Sequence, residues 1–403
     1  MPGEFEPQEA VWLGWQAYEN YYPVNISMVR SLLPFVKVKI ATESDSIQII
    51  AKKLLAENKI DTSQVQFFTM PNNEFWMRDH GAAFIINGKG DMKAVDFVWG
   101  TYGYREWLIE KYNGNEKKAD SALTKSLASK RGKVDSLMGV AENIPVERSW
   151  IRIEGGAIEV NGKGTLLLNE PLTLSRNKGI SKDSIAREFK RVLGVKNIIW
   201  LQTGLAEDPH IIERITGKYV GIGTGGHTDE YVRFADANTI LLAWMPEEEK
   251  DMNPVNKINY ERMNINYNIL SSAKNENGKP FKIIKVPLPD LISKQIKLLD
   301  KGNWDDSLNM PVSAFKESEN FKAGDTAYRV AAASYLNFYV TNRMVLLPSY
   351  ISQGTAAKKE EAVKQLFQSA FPGREIIFMD AMPLNWEGGG IHCGTQQQPK
   401  IRK

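Results

Sequence analysis

One phrase of this chain is written twice. Asp79-His-Gly-Ala-Ala-Phe-Ile-Ile-Asn-Gly-Lys-Gly90 and Glu154-Gly-Gly-Ala-Ile-Glu-Val-Asn-Gly-Lys-Gly164 each run from an acid through glycine and alanine into a short apolar stretch and then Asn-Gly-Lys-Gly. Asn-Gly between alternating apolar residues signals a β-hairpin, because both turn positions favour positive φ. Looser copies open at His227, running to Trp244, and at Ala333, running to Leu347. Several are prefaced by an amphipathic helix and a hydrophobic strand: 46–58 then 65–70, 181–193 then 195–201, 360–371 then 374–379, and less regularly 260–274 then 281–286. A unit this long, present in about five copies, closes most naturally into a ring whose first strands line a central opening.

That arrangement predicts which side chains meet. Asp79, Glu154 and Asp229 follow one another at intervals of 75 residues. His227 lies two positions before Asp229, hence on the same face of a strand. Cys393, the only cysteine of the 403 residues, opens the last hairpin-like segment, Glu387-Gly-Gly-Gly-Ile-His-Cys-Gly-Thr-Gln-Gln-Gln-Pro399. A free cysteine is commonly a small buried hydrophobe. Here the glycines let a ligand approach the backbone, and a nucleophile is the competing reading.

A thiol with a histidine suits attack on an electrophilic carbon, the imidazole moving protons. Three carboxylates would oppose ionisation of that thiol. The conflict resolves if the substrate is a cation such as a guanidinium, whose planar donors match carboxylate oxygens in pairs. About 3% of an unperturbed thiol is ionised at pH 7, so full conversion to thiolate requires roughly 2 kcal/mol.

Trp76-Met-Arg-Asp79, Glu154-Gly-Gly, Arg176-Asn177, Gly226-His-Thr-Asp229, Ser334-Tyr-Leu-Asn-Phe-Tyr339 and the segment from Gly389 to Gln398 resemble, in order and over nearly the whole chain, the agmatine deiminase and Porphyromonas-type peptidyl-arginine deiminase family of guanidine-modifying enzymes. The resemblance implies one catalytic domain over residues 1–403, a five-bladed α/β propeller (pentein) of ββαβ units with pseudo-fivefold symmetry. It implies Cys393 as nucleophile, His227 as general acid and base, Asp79 and Asp229 as guanidinium ligands, and Glu154 as the group that holds the guanidinium and orients His227. Trp76 is implied to pack against the substrate's alkyl stem or guanidinium plane; separately, Tyr335, Asn337 and Tyr339 read as sharing one strand face, and Asn337 is the one expected in the pocket. The implied reaction hydrolyses a guanidinium C–N bond with no metal or cofactor. Agmatine is the favoured substrate, because the contexts of Glu154 and Cys393 lie nearer that branch, and an arginine-containing peptide is the alternative.

The chain departs from the family pattern at His80-Gly-Ala, Glu230, Glu387, Gly390 and Gly394, and carries extra segments near 206–224 and 299–325. Extra acids are expected to recharge the pocket mouth, and the extra segments to shape entry. Rival readings are a dinucleotide site at Gly221-Ile-Gly-Thr-Gly-Gly226, a metal-dependent hydrolase using His227, Asp229, His80, His392 and Glu154, and a binding protein without turnover. The dinucleotide reading requires a helix after the glycines, where a strand is expected. His392 and Arg78 are expected to hydrogen-bond or pair structurally, and His210 to face solvent.

The bulk numbers restrict the class further. A net charge of +3 and a basic cluster at Lys117, Lys118, Lys125, Lys130, Arg131 and Lys133 fit a solvated helix face, so no nucleic-acid partner is expected. With no apolar run of ~20 residues, no membrane span is expected either. The chain reads as cytoplasmic unless an export signal preceded Met1, and as a possible homo-oligomer.

Overall fold

The computed structural model describes residues 1–71, 73–124, 132–300 and 309–401. Four antiparallel hairpins stand where the repeats predicted them: Ala83–Ile86 with Met92–Val98, Glu159–Val160 with Thr165–Asn169, Val232–Asp236 with Thr239–Trp244, and Tyr339–Thr341 with Met344–Ser349. The second strand of each then pairs in parallel with a strand reached through helix: Val146–Arg152, Asn197–Leu201, Lys282–Pro287 and Glu375–Asp380. A fifth copy joins the chain ends. Thr395–Pro399 runs antiparallel to Gln8–Trp15, which pairs in parallel with Lys37–Thr42 and, beyond it, Val65–Thr69. The repeat is therefore strand, strand, helix, strand, and the molecule is α/β with mixed sheets.

The local sequence accounts for the helices. Lys182–Leu193 starts at Ser181, whose side chain accepts from the Ser184 amide, buries Ile185, Phe189 and Val192 on one face, and stops at Gly194 with φ 69°. Pro254–Ser272 is capped by Asn253 and turns Asn259 and Asn266 inward. Asn259 Oδ1 accepts from the Ala206 amide at 2.8 Å and Asn266 Oδ1 from the Gln202 amide at 3.1 Å, which fixes the segment leading into the site. Burial of these two amides is tolerable because their polar atoms are bonded.

The Asn-Gly-Lys-Gly turns differ in detail from the expected two-residue type. Asn87 Oδ1 accepts from the amides of Lys89 and Asp91, and Asn161 Oδ1 from those of Lys163 and Thr165. The asparagine thus caps a wider loop with its side chain, and the positive φ values fall on Gly90, Gly162 and Gly164.

A sixth sheet lies outside the five units, in the order His210–Thr216, Tyr219–Thr224, Thr326–Val330, Ser293–Leu299, Asn309–Pro311. The first segment read as extra supplies two of its strands, and of the other three one lies within the second segment and two flank it. It packs through Ile212, Val220, Ile296 and Leu298 on Trp107 and Leu108 of the helix Tyr104–Lys111, with Trp107 Nε1 donating to the Ile212 carbonyl at 3.2 Å. The glycine-rich stretch 221–226 runs along one of its strands and into a turn. Only a single 3-10 turn, Thr228–Glu230, follows before the next strand, and no α-helix opens there, so the dinucleotide reading fails. Lys118 lies over the Tyr112 ring at 4.2 Å and pairs with Glu317 at 3.5 Å, as a solvated helix face would. Lys125, Lys130 and Arg131 lie outside the described residues. Among the described residues no helix is long and apolar enough to cross a membrane.

Candidate active site

The candidate side chains sit one step earlier than expected. Each occupies a short turn just upstream of the first strand of its unit: Trp76 and Asp79 around Met77–His80, Glu154 before Gly155–Ala157, His227 and Asp229 at Thr228–Glu230, Asn337 before Tyr339, and Cys393 before Thr395. His227 and Asp229 therefore do not share a strand face. A tight turn can aim both side chains and amides at one point, which an alternating strand cannot.

The turns converge. Cys393 Sγ lies 3.1 Å from Asn337 Nδ2, 3.5 Å from Asp229 Oδ2 and 3.9 Å from Glu230 Oε1. His227 Nε2 meets Glu154 Oε2 at 3.3 Å, and its Nδ1 lies 3.5 Å from Asp79 Oδ1. Asp79 accepts from the Gly156 amide at 3.0 Å and from the Tyr102 hydroxyl at 2.9 Å. Glu154 is held by Arg176 Nε at 3.1 Å. Two glycines keep this space open. A Cβ on Gly156 would stand 2.6 Å from His227 Nδ1, 2.8 Å from Asp79 Oδ1 and 2.9 Å from Asp229 Oδ2, and one on Gly389 would stand 2.6 Å from the Trp76 ring and 3.3 Å from Cys393 Sγ. His227 Nδ1 and Asp229 Oδ1 are buried without a hydrogen-bond partner. Such atoms in a native site call for a ligand or ordered water.

Charge is distributed unevenly. Burial, then Asp229, Glu230 and Asp79, push the Cys393 thiol well above its ordinary range, with Asn337 pulling the other way. Burial works against a charged His227, but Asp79 and Glu154 overcome it and raise the imidazole to about 9. Burial raises Asp79 to about 6. Burial opposes ionisation of Glu154 too, yet Arg176 and His227 bring it down to about 2. Asp229 is likewise lowered against burial by His392. Glu230 is raised well above the carboxylate range by burial, then by Asp229 and Asp208. Without a ligand the centre holds a neutral thiol beside an imidazolium, and a cation bound among the acids shifts that balance toward thiolate.

Other expectations resolve by position. Glu230 does not edge the pocket mouth: it is buried, donated to by Asn337 Nδ2 at 2.7 Å, and faces the thiol. His210 does not face solvent, its Nε2 lying 2.7 Å from the Tyr102 carbonyl. His392 does hydrogen-bond, with Nδ1 2.7 Å from Asp229 and Nε2 2.7 Å from Glu4, although it sits in a turn and not on a strand. Arg78 pairs with Glu4 at 2.8 Å. The histidines of the metal reading are thus dispersed, His80 facing Asn73 and His392 committed to two acids. Among the described residues the groups close enough to share an ion are Asp229, Glu230 and Cys393, a different set.

Sequence reasoning missed Tyr102, Asp208 and Glu4. Asp208 accepts from the amides of Thr224, Gly226 and His227 and from Thr224 Oγ1, closing the base of the extra hairpin against the site. None of the three belongs to the repeated phrase, which was the available signal.

Fold and site together define an α/β protein with a buried thiol, imidazole and carboxylate centre whose open space is lined by acids. The chain belongs to the Porphyromonas-type peptidyl-arginine deiminase family, whose model matches residues 1–399. It is similar to the agmatine deiminase of Medicago truncatula, 27% identical over all of this chain and 96% of that one, and to that of Pseudomonas putida, 24% identical over 99% and 95%. Among solved structures, an agmatine deiminase of Enterococcus faecalis superposes with a TM-score of 0.73 at 25% identity, covering 100% of this chain and 96% of the other.

Proposed function

We infer that the protein is a guanidine deiminase acting on agmatine, with Cys393 as nucleophile. The observation that carries this reading is the convergence of Asp79, Asp229 and Glu154 on the same buried space as Cys393 and His227. Acids that hinder a thiol in isolation become useful when the substrate is a fixed cation. The relatives named agmatine deiminase match over the whole chain, which favours agmatine.

In this mechanism Asp79 and Asp229 pair with guanidinium N–H groups, and Trp76 covers the substrate beside the thiol. The Cys393 thiolate attacks the central carbon to give a neutral tetrahedral adduct, and the carboxylates stabilise the positive charge of the bound guanidinium and the charge that returns when the departing nitrogen is protonated. Protonated His227 gives its proton to the departing nitrogen, ammonia leaves, and an amidino-thioether remains. Neutral His227 then takes a proton from water. Attack by that water expels the thiolate and leaves a ureido product. Glu154, itself held by Arg176, keeps the imidazole in place. No cofactor enters this sequence of steps.

The five equivalent sheets support a five-bladed propeller forming one catalytic domain, with the sixth sheet as an addition to it. The family description favours a second reading, deimination of peptidyl arginine. Incubation with agmatine, arginine and an arginine-containing peptide, assayed for ureido product and ammonia, separates the two. Agmatine turnover is expected. Turnover of the peptide alone would support the second reading, and product from none would overturn both.

A further inference from the structure

Between the strand Met92–Val98 and the helix Tyr104–Lys111 the backbone makes an unusual turn. Thr101, Tyr102 and Gly103 are consecutive left-handed residues, with φ of 50°, 57° and 68°. Two of them are not glycine, and each such residue costs roughly 1–2 kcal/mol. A conformation of this kind persists only where its surroundings enforce it. The third could be little else, because a Cβ on Gly103 would stand 2.6 Å from Arg176 Nη1.

The enforcement comes from outside the five repeated units. His210, the first residue of a sixth-sheet strand, places Nε2 2.7 Å from the Tyr102 carbonyl. Arg176 Nη1 also lies 3.3 Å from this nitrogen, but a carbonyl only accepts, so the shorter contact places the hydrogen on Nε2 and leaves Arg176 as a neighbour that does not donate to it. On the other side of the turn, Trp107 and Leu108 are packed into the same sheet. The turn is thus pinned at its carbonyl and at its following helix by one structural layer. Its side chain points the other way, into the site: the Tyr102 hydroxyl donates to Asp79 Oδ2 at 2.9 Å, and its ring lies 6.1 Å from that of His227. The Gly156 amide holds the opposite oxygen, Oδ1, at 3.0 Å. Asp79 is gripped from both ends, once by the Gly156 amide and once by the hydroxyl of a turn that the added sheet pins.

We propose that Tyr102 is a positioning residue for Asp79, and that the sixth sheet keeps it in place through His210. The proposal rests on the deiminase reading only for its substrate. A carboxylate fixed at both oxygens presents its remaining lone pairs in one plane, as a planar guanidinium requires. Freed at Oδ2, it rotates, and ground-state and transition-state binding weaken together, which appears in KM.

The test uses the full chain and three variants. Tyr102→Phe removes only the hydroxyl and is expected to raise KM for agmatine about tenfold with kcat changed less than about threefold. His210→Ala should raise KM in the same direction, His210→Gln, which keeps a side-chain N–H, should recover most of it, and His210→Ala added to Tyr102→Phe should cost little more than Tyr102→Phe alone. A readout independent of substrate is the titration of His227 followed by NMR. Asp79 is still ionised at the pH where His227 titrates, and without the tyrosine hydrogen bond its charge is less shared, so the His227 midpoint should rise by about half a unit. An unchanged KM and unchanged midpoint in Tyr102→Phe would overturn the proposal, as would fully multiplicative effects of the two sites. If no variant, nor the parent, turned over a guanidine while the midpoint still moved, the deiminase reading would fail and the positioning role would stand.

Discussion

Cys393 is surrounded by groups that keep it protonated. Burial acts first, and Asp229 adds the largest share from a neighbouring charge. Asp229→Asn should therefore make the thiol of the unliganded protein more reactive while destroying guanidinium binding. Alkylation by iodoacetamide at pH 8 is expected to speed up about tenfold in this variant, and an unchanged or slower rate would mean that Asp229 does not set the state of the thiol. Gly156 makes a complementary point by having no side chain. Its missing Cβ would stand among His227, Asp79 and Asp229, so Gly156→Ala displaces all three. Turnover should fall about a hundredfold, with circular dichroism unchanged. Retention of normal turnover would show that this space is not where substrate lies.

At the scale of elements, the site is a set of turns presented by the starts of strands. The repeated phrases made the hairpins legible, because Asn-Gly and alternating apolar residues fix a hairpin locally, and they placed Asp79, Glu154 and Asp229 at equivalent points of successive units. They did not show that these residues sit in turns, since a turn of three or four residues carries no period. Nor could they show Tyr102 or Asp208, whose roles come from a sheet assembled from two separate stretches of chain, 210–224 and 293–330. Asp208 is the hinge between that sheet and the site: its carboxylate gathers three amides, among them that of His227. Asp208→Ala leaves those donors unpaired in a buried position, which costs about 1–3 kcal/mol. A lower urea midpoint together with a reduced kcat is expected. A stability loss with kcat intact would separate the hairpin from catalysis.

Across the whole molecule, the chain ends meet. Gln8–Trp15 pairs with Thr395–Pro399, and just before it Glu4 bonds Arg78 at 2.8 Å, Arg233 at 2.9 Å and His392 at 2.7 Å, tying three units together beneath the site. Nothing in the opening residues announced this hub, because its partners are brought together by closure of the fold. The buried charges also set the pH dependence of folding. His227, raised from 6.5 to about 9, adds stability that is fully present below pH 6.5 and lost as pH rises through 9. Asp79, raised from 3.8 to about 6, costs stability once ionised, so its contribution also declines on going from pH 3.8 to 6. Glu154, lowered from 4.5 to about 2, adds stability present above pH 4.5 and lost as pH falls through 2. The unfolding free energy should therefore fall between pH 6.5 and 9 by something on the order of 3 kcal/mol, and His227→Gln should flatten that slope. An equal slope in parent and variant would remove His227 as its source.

If Cys393 attacks the carbon of a guanidinium held by acids, a covalent intermediate must form on its sulfur during turnover. Rapid acid quench during agmatine turnover, followed by intact-mass measurement and peptide mapping, addresses it directly. An adduct equal to agmatine less ammonia is expected on the peptide carrying Cys393, present in the parent protein and missing in Cys393→Ala. Turnover of agmatine by Cys393→Ala at the parent's rate, with no adduct in either protein, would contradict attack by Cys393.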